Sequence, residues 1–348
     1  MSRIHYRQLL DVLETAKEPF APLSLSNGFS LIVTQRGGRV FGPFWNEGES
    51  LTWINPALAS PESFDAFRRA GQWNLGGERL WIAPEIQYNI KDRADFWGSH
   101  HVPPQMDPGQ YTLEPGVRQI VLKAEMLLPA YNLSSGTANL WLDRTVQPSP
   151  VPTPAGLPLD VAFASYEQRI LLDETYASTP VSQSWLLTQL NPGGQLIIPC
   201  EQGAKGIRYF GDPTSDALTP KDGAFRISLT GQRQYKMGYA AEAMTGRMGY
   251  LNTLPDGQAY FLFREYLIHP QGLYAEEVPD QPGINGHVVH VYNDGGQFGA
   301  NGEMEVSGPA IGGTTGIRNS VDTFRMEVYL GPLPAIQSVT EQKLELKL

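Results

Sequence analysis

Two-residue alternation of apolar and polar side chains, repeated along most of the chain, is the feature that most restricts this sequence. Segments 28–35 (GFSLIVTQ), 119–128 (QIVLKAEMLL), 137–146, 160–174, 224–230, 258–268, 286–294 and 321–330 carry it. They are rich in β-branched and aromatic residues and bounded by Gly, Pro, Asn and Asp, the pattern of strands. More than a dozen strands at this spacing, with no helices between them, predict an antiparallel sandwich or barrel, because a parallel sheet needs crossover helices. Only two segments read as helix. Residues 4–17 place Ile4, Leu9, Leu10, Val12 and Leu13 near helical spacing. Residues 61–69 follow Ser60 as N-cap, with Pro61 at the first helical position and Glu62 in the first turn. Asn293-Asp294-Gly295 predicts a tight hairpin turn.

The stretch 147–158 (QPSPVPTPAGLP) holds five prolines in twelve residues. It reads as a domain linker or as a stiff connection inside one large β-domain. Neither half alone shows a closed strand pattern, which favours the connection. The expected organisation is an N-terminal helical segment over 1–20, then one all-β domain over 21–348.

Acidic residues number 36 and basic ones 26, a formal net charge of -10. That balance repels phosphate backbones and argues against nucleic-acid or anionic-membrane partners. Hydrophobic residues are 41% of the chain, enough for a large core and too many for global disorder. A single cysteine, Cys200, allows no intrachain disulfide and no zinc site built on cysteines. Residues 1–20 are charged throughout and lack a signal peptide's apolar core, and no run reaches the ~18 apolar residues of a membrane span. A soluble cytoplasmic protein is expected. The oligomeric state is not legible.

Several clusters are candidates for chemistry. Glu303 and Glu305 in GEMEV share one face of an expected strand, roughly 6–7 Å apart. Two such carboxylates repel, which raises one pKa and makes a base near neutrality. In NLGGERLWIAPEI (74–86), Glu78, Arg79, Trp81 and Glu85 follow two glycines. A guanidinium beside an indole suits sugar recognition, the fork meeting hydroxyls and the ring stacking on a pyranose. His100 and His101 stand together in a Gly/Pro-flanked loop and could supply a general acid. Lys236 opens KMGYAAEA and is placed at a cleft. His287 and His290, three apart on a strand, should point to opposite faces and so cannot share a metal ion, but one of the two could line a cleft, with His290 the candidate. No metal site is expected. GGTTG (312–316) lacks the lysine of a phosphate loop, and no Gly-x-Ser-x-Gly elbow is present.

Four segments, in order, resemble the galactose mutarotase-like superfamily, which includes the aldose 1-epimerases. They are GGERLWIAPE (76–85), SQSWLLTQLNPGGQLIIPC (182–200), KMGYAAEAMTGRMGYL (236–251) and GEMEVSGPAIGG (302–313), within a likeness spanning about 28–330. The resemblance implies an antiparallel β-supersandwich with sugars bound across a broad cleft and no cofactor. It assigns the general base to Glu305, a substrate-binding arginine to Arg79, and a loop histidine to His100 or His101. Where epimerases carry a general-acid histidine on the central strand, this chain reads Ser184-Trp185-Leu186-Leu187. An acid would then have to come from His100, His101, His269 or His290. The implied activity is that of an aldose 1-epimerase-type isomerase on an unknown sugar. A non-catalytic sugar-binding or sensing protein is the alternative, and a carbohydrate lyase or hydrolase a third. On either of the first two readings Arg79, Trp81 and Glu305 converge on one concave surface.

Overall fold

The computed structural model describes residues 3–177 and 180–348. Strand takes 44% of the residues and helix 19%, well below the usual helical share. The first strands are β1 (Phe20–Ser24), β2 (Phe29–Thr34), β3 (Val40–Trp45) and β4 (Glu78–Ala83). Then follow β5 (Thr112–Pro115), β6 (Ile120–Ala130), β7 (Gly136–Pro148), β8 (Ala162–Glu174) and β9 (Gln183–Leu190). The second half holds β10 (Gly194–Pro199), β11 (Gly206–Gly211), β12 (Ala224–Leu229), β13 (Tyr235–Ala240) and β14 (Arg247–Thr253). It ends with β15 (Gln258–Tyr266), β16 (His287–Asn293), β17 (Gly302–Ser307) and β18 (Asn319–Pro332).

These strands form two nine-stranded sheets, ordered β1-β2-β3-β4-β9-β17-β16-β13-β11 and β12-β10-β14-β15-β18-β8-β7-β6-β5. The strand pairs are antiparallel. The inner faces pack together. Leu80, Leu186, Met304, Val306 and Val289 of the first sheet meet Leu142, Tyr166, Leu262, Met326 and Val328 of the second in one apolar core. The proline-rich stretch connects β7 to β8, which are paired neighbours, so it is an internal connection and divides nothing.

One helix was not anticipated. Helices α1 (Tyr6–Thr15) and α2 (Pro61–Arg69) fall where expected, and α2 has the Ser60 cap and Pro61 start. Single turns α3 (Glu85–Tyr88), α4 (Phe96–Ser99) and α5 (Ser215–Leu218) follow, and then α6 (Leu333–Leu344). This last helix lays Ile336, Val339 and Leu344 on the outer face of the second sheet, against Ile197, Phe261, Phe263 and Tyr329. Its amphipathic pattern is much weaker than that of α1 or α2, and the preceding strand pattern runs straight into it. Among the described residues, no helix is long and apolar enough to cross a membrane. The outer face of the first sheet is covered at one end by α1 and α2, whose Leu9, Val12, Leu13 and Phe64 pack on Ile32, Phe41 and Phe44. The middle of that face stays open.

Asn293-Asp294-Gly295 does not form the two-residue hairpin expected of it. The β16–β17 connection is longer, and the Asp294 carboxylate organises it by accepting hydrogen bonds from the backbone N–H groups of Gly296, Phe298 and Ala300 (3.0, 3.0 and 2.8 Å).

Candidate functional site

Strand register builds the site. Arg79, Leu187, Glu305, His290 and Gly238 lie side by side across β4, β9, β17, β16 and β13. Two residues along, Gln189, Glu303, Tyr292, Lys236 and Phe210 form a second row, and Trp81, Trp185 and Ser307 form a third. Side chains two apart on a strand share a face, so all three rows project from the open outer face. Trp73 and Asn74 before β4, Glu85 at the start of α3, Trp97 and His100 from the α4 region, and Phe298 from the β16–β17 loop wall it in. The result is a cleft on the outer face of the first sheet.

Charges on its floor are paired. Arg79 donates two parallel hydrogen bonds to Glu303, NH1 to Oε1 at 3.0 Å and NH2 to Oε2 at 3.1 Å. Its guanidinium lies over the rings of Trp81 and Trp73, 4.4 and 5.4 Å from their centroids. Gln189 Nε2 donates to Glu303 Oε1 at 2.8 Å. Lys236 Nζ donates to Glu85 Oε2 at 2.6 Å, stands 3.7 Å from Glu305 Oε2, and lies 4.4 Å from the ring centroid of Trp185. The Trp185 indole N–H donates to Glu305 Oε2 at 2.9 Å. Burial would lower the Lys236 ammonium, but Glu305, Glu85 and Glu276 outweigh it and hold the group charged.

The carboxylates divide. Burial, with Glu303 and Glu85 adding to it against Lys236, pushes Glu305 up to about 8. Glu85 falls below the ordinary carboxylate range, because Lys236 and His100 overcome the upward effect of burial. Behind them Glu276 accepts hydrogen bonds from the backbone N–H groups of Glu85 and Ile86, which fixes the turn carrying Glu85. Burial, helped by Glu85, pushes Glu276 up to about 7. Burial and the Lys236 charge keep the His100 imidazole below its usual value, with Glu85 opposing.

Of the residues singled out from the sequence, Arg79, Trp81, Glu85, His100, Lys236, Glu303 and Glu305 line this cleft. Three do not. Glu78 is a correction. It stands one residue from Arg79, so it points through the sheet into the core, where Arg264, the Tyr166 hydroxyl and Thr188 (2.9 Å) hold it. Burial alone would raise its carboxyl, but Arg264, Tyr166 and Arg144 keep it low. His101 turns away, its Nδ1 3.0 Å from the Asn89 carbonyl and its ring against Tyr131. His290 lies beside Glu305 in the register but is covered, with Nε2 3.1 Å from the Tyr209 hydroxyl.

The expected divergence of His287 and His290 is also corrected. A bulge in β16, where Tyr239 pairs with Val289 and Ala240 with His287, turns His287 to the same side. Both imidazoles meet Tyr209, His287 Nδ1 at 2.8 Å from its hydroxyl. No third metal ligand joins them among the described residues. Trp73, Phe210, Tyr292, Phe298 and Glu276 were not foreseen as site residues. Tyr292 and Phe210 follow only from register with Glu303 and Lys236, which one strand's pattern does not give.

The sequence matches the family described as Family of unknown function (DUF6786) over residues 5–316. No curated protein matches it. Among solved structures, the Slr1438 protein from Synechocystis sp. PCC 6803 is similar with a TM-score of 0.50 and 12% identity, covering 89% of this chain and 95% of that one. The GalM/aldose epimerase homologue from C. elegans scores 0.44 at 9% identity, over 89% and 98% of the two chains. Galactose 1-epimerase from Lactobacillus acidophilus NCFM scores 0.42 at 10% identity, over 90% and 95%. The likeness is one of fold. It rests on two packed nine-stranded antiparallel sheets, the all-β sandwich class expected from the strand pattern.

Proposed function

Since the chain belongs to the DUF6786 family of unknown function, we propose a function from the cleft itself: it binds a sugar and interconverts its anomers by acid–base catalysis. The observation that carries this is Glu305, a buried carboxyl between Lys236 and Trp185 on the floor of an indole-lined cleft, raised to about 8. Indole faces stack on the apolar face of a pyranose, and a group titrating near neutrality exchanges protons most effectively.

The pKa directions reverse the role expected of Glu305. Protonated at neutral pH, it serves as the acid at the ring oxygen. Neutral His100, on the wall of the same cleft, takes the proton of the anomeric hydroxyl. The bond between the anomeric carbon and the ring oxygen breaks, and the open form carries an aldehyde. Rotation about the adjoining carbon–carbon bond and closure on the other face, with both protons returned, give the other anomer.

Polarimetry on freshly dissolved α-glucose, α-galactose, xylose and mannose tests the proposal. Acceleration by the protein should fall about 10²–10⁴-fold in Glu305→Gln and in His100→Ala. Sugar binding without acceleration would overturn catalysis. It would favour the second reading, a non-catalytic sugar-binding protein, which has one observation behind it: Arg79 and Lys236, the cations that could orient a substrate, are already engaged by Glu303 and Glu85.

A further inference from the structure

Carboxyl groups outnumber cations in the cleft. Three carboxyl groups line it, from Glu85, Glu303 and Glu305, with Glu276 directly behind. Two cations oppose them, Arg79 and Lys236. Both cations are consumed. Arg79 is forked onto Glu303 and sandwiched by Trp73 and Trp81, while Lys236 is held by Glu85 and Glu305 over Trp185. His100 adds no charge at neutral pH. An anionic group entering here finds no free cation and meets the carboxylates.

The acidic side is not consumed. Glu305 is 1% exposed and spends only Oε2, on Trp185 and Lys236. Among the described residues, Oε1 of Glu305 and Oε1 of Glu85 have no partner, and both residues face the cleft. The aromatic side is half consumed. Trp73, Trp81 and Trp185 already carry a protein cation, whereas no protein cation lies over Trp97, Phe210, Tyr292 or Phe298 among the described residues. Trp97 and Phe210 pack edge to face at 4.9 Å, and Trp97 is 50% exposed at the mouth. Unpartnered carboxyl oxygens and uncovered aromatic faces lining one cleft are the surroundings a desolvated ammonium seeks.

We infer that the sugar taken by this cleft brings its own positive charge, as a free amine on the ring, and that phosphorylated and carboxylated sugars are excluded. The inference rests on the sugar-binding reading above and narrows it to a substrate class. The amine sits against the open oxygen of Glu305, in a cleft also lined by Trp97, Phe210, Tyr292 and Phe298. A second positive charge beside Glu305, added to that of Lys236, favours its ionised form over the one that burial favours, so a proton leaves on binding.

Isothermal titration calorimetry of the full-length protein at pH 7 tests this, with glucosamine and galactosamine against glucose, galactose, N-acetylglucosamine and glucose 6-phosphate. At least one amine should bind about tenfold more tightly than its neutral parent. For glucosamine, acetylation should abolish the advantage, and the phosphate should not bind. Repeating the titration in two buffers of different ionisation enthalpy should reveal proton release for the amine alone. Glu305→Gln should bring the amine-to-parent ratio close to one. The wild-type ligand series decides the matter even where that variant fails to fold. A neutral parent binding as tightly as its amine, or binding of the phosphate, overturns the charge inference and leaves the sugar-binding reading standing. Binding of none of the six overturns both.

Discussion

Trp185 on β9 donates its indole N–H to Oε2 of Glu305 on β17 at 2.9 Å, although 120 positions separate the two residues. The same indole supports Lys236 on its face, and Lys236 approaches the same oxygen at 3.7 Å. One aromatic side chain thus orders both the carboxyl and its counter-charge. It occupies the central-strand position where the family resemblance led one to look for a histidine. An indole N–H can stabilise a carboxylate but cannot transfer a proton to it, so Trp185 positions the carboxyl and supplies no acid.

Trp185→Phe follows from that geometry. The ring is kept and the donor lost. A hydrogen bond to the ionised carboxylate favours the charged form, so its removal should push the Glu305 midpoint about one unit further up. Carbon-13 NMR of side-chain-labelled glutamates reads this directly. A midpoint that stays put or falls would mean the indole contributes packing alone.

Lys236→Met should be costly. The ammonium is 3% exposed and balances Glu85 and Glu305. Removing one partner of a buried pair typically costs about 3–5 kcal/mol, because the remaining charge is stranded. Urea denaturation should show a loss of that order, and Glu85→Gln added to Lys236→Met should restore part of it. If the double variant is no more stable than the single one, stranded charge is not the cause.

How far the site could be read beforehand follows from the same parity rule. Alternation placed Glu303 with Glu305 on a shared face, and both line the cleft, as do Arg79 and Trp81, which were singled out as a guanidinium beside an indole. Applied strictly, it would have rejected Glu78, which is adjacent to Arg79 and must face the other way. His287 defeated the rule because a bulge resets the alternation, and its sequence carries no mark of one. The two sheets were legible as strands, yet their order was not, since β9 lies between β4 and β17 only through long-range pairing. Glu276 had no signal, because it comes from the long connection between β15 and β16 and is defined by the backbone it caps.

Glu78→Gln separates structure from function at the residue misplaced by the sequence. Glu78 sits between the sheets and answers Arg264. Its neutralisation strands that guanidinium, and about 3–5 kcal/mol of stability should go. Ligand affinity, measured where the variant is still folded, should stay within about twofold of wild type, a difference under ~0.5 kcal/mol. A tenfold loss of affinity would show that the inner face communicates with the cleft.

The pH dependence of stability offers a test that needs no ligand. Glu305 and Glu276 hold their protons more tightly folded than unfolded, with values near 8 and 7 against an ordinary 4.5. Between 4.5 and 8 the unfolded chain has released these protons and the folded chain retains them in part, so stability falls as pH rises. The buried histidines act in the opposite sense. His287 is pushed down to about 4 by burial, and His290 and His100 are also lowered. An unfolded histidine binds a proton below 6.5 where these do not, so they raise stability as pH rises towards 6.5 and contribute nothing above it. Glu78 and Glu85, lowered in the folded state, act only below the ordinary carboxylate value. Burial also raises Asp107 and Asp322 above an ordinary 3.8; the window from 6.5 to 8 therefore reads the raised carboxyls, with Glu305 and Glu276 titrating in it. Thermal melts across it should show Tm declining with pH, and Glu305→Gln should flatten the decline without abolishing it, because Glu276 remains. A Tm that is level or rising across this window would mean that both carboxyls are already ionised, and Glu305 would then be a fixed anion rather than a group poised to exchange a proton.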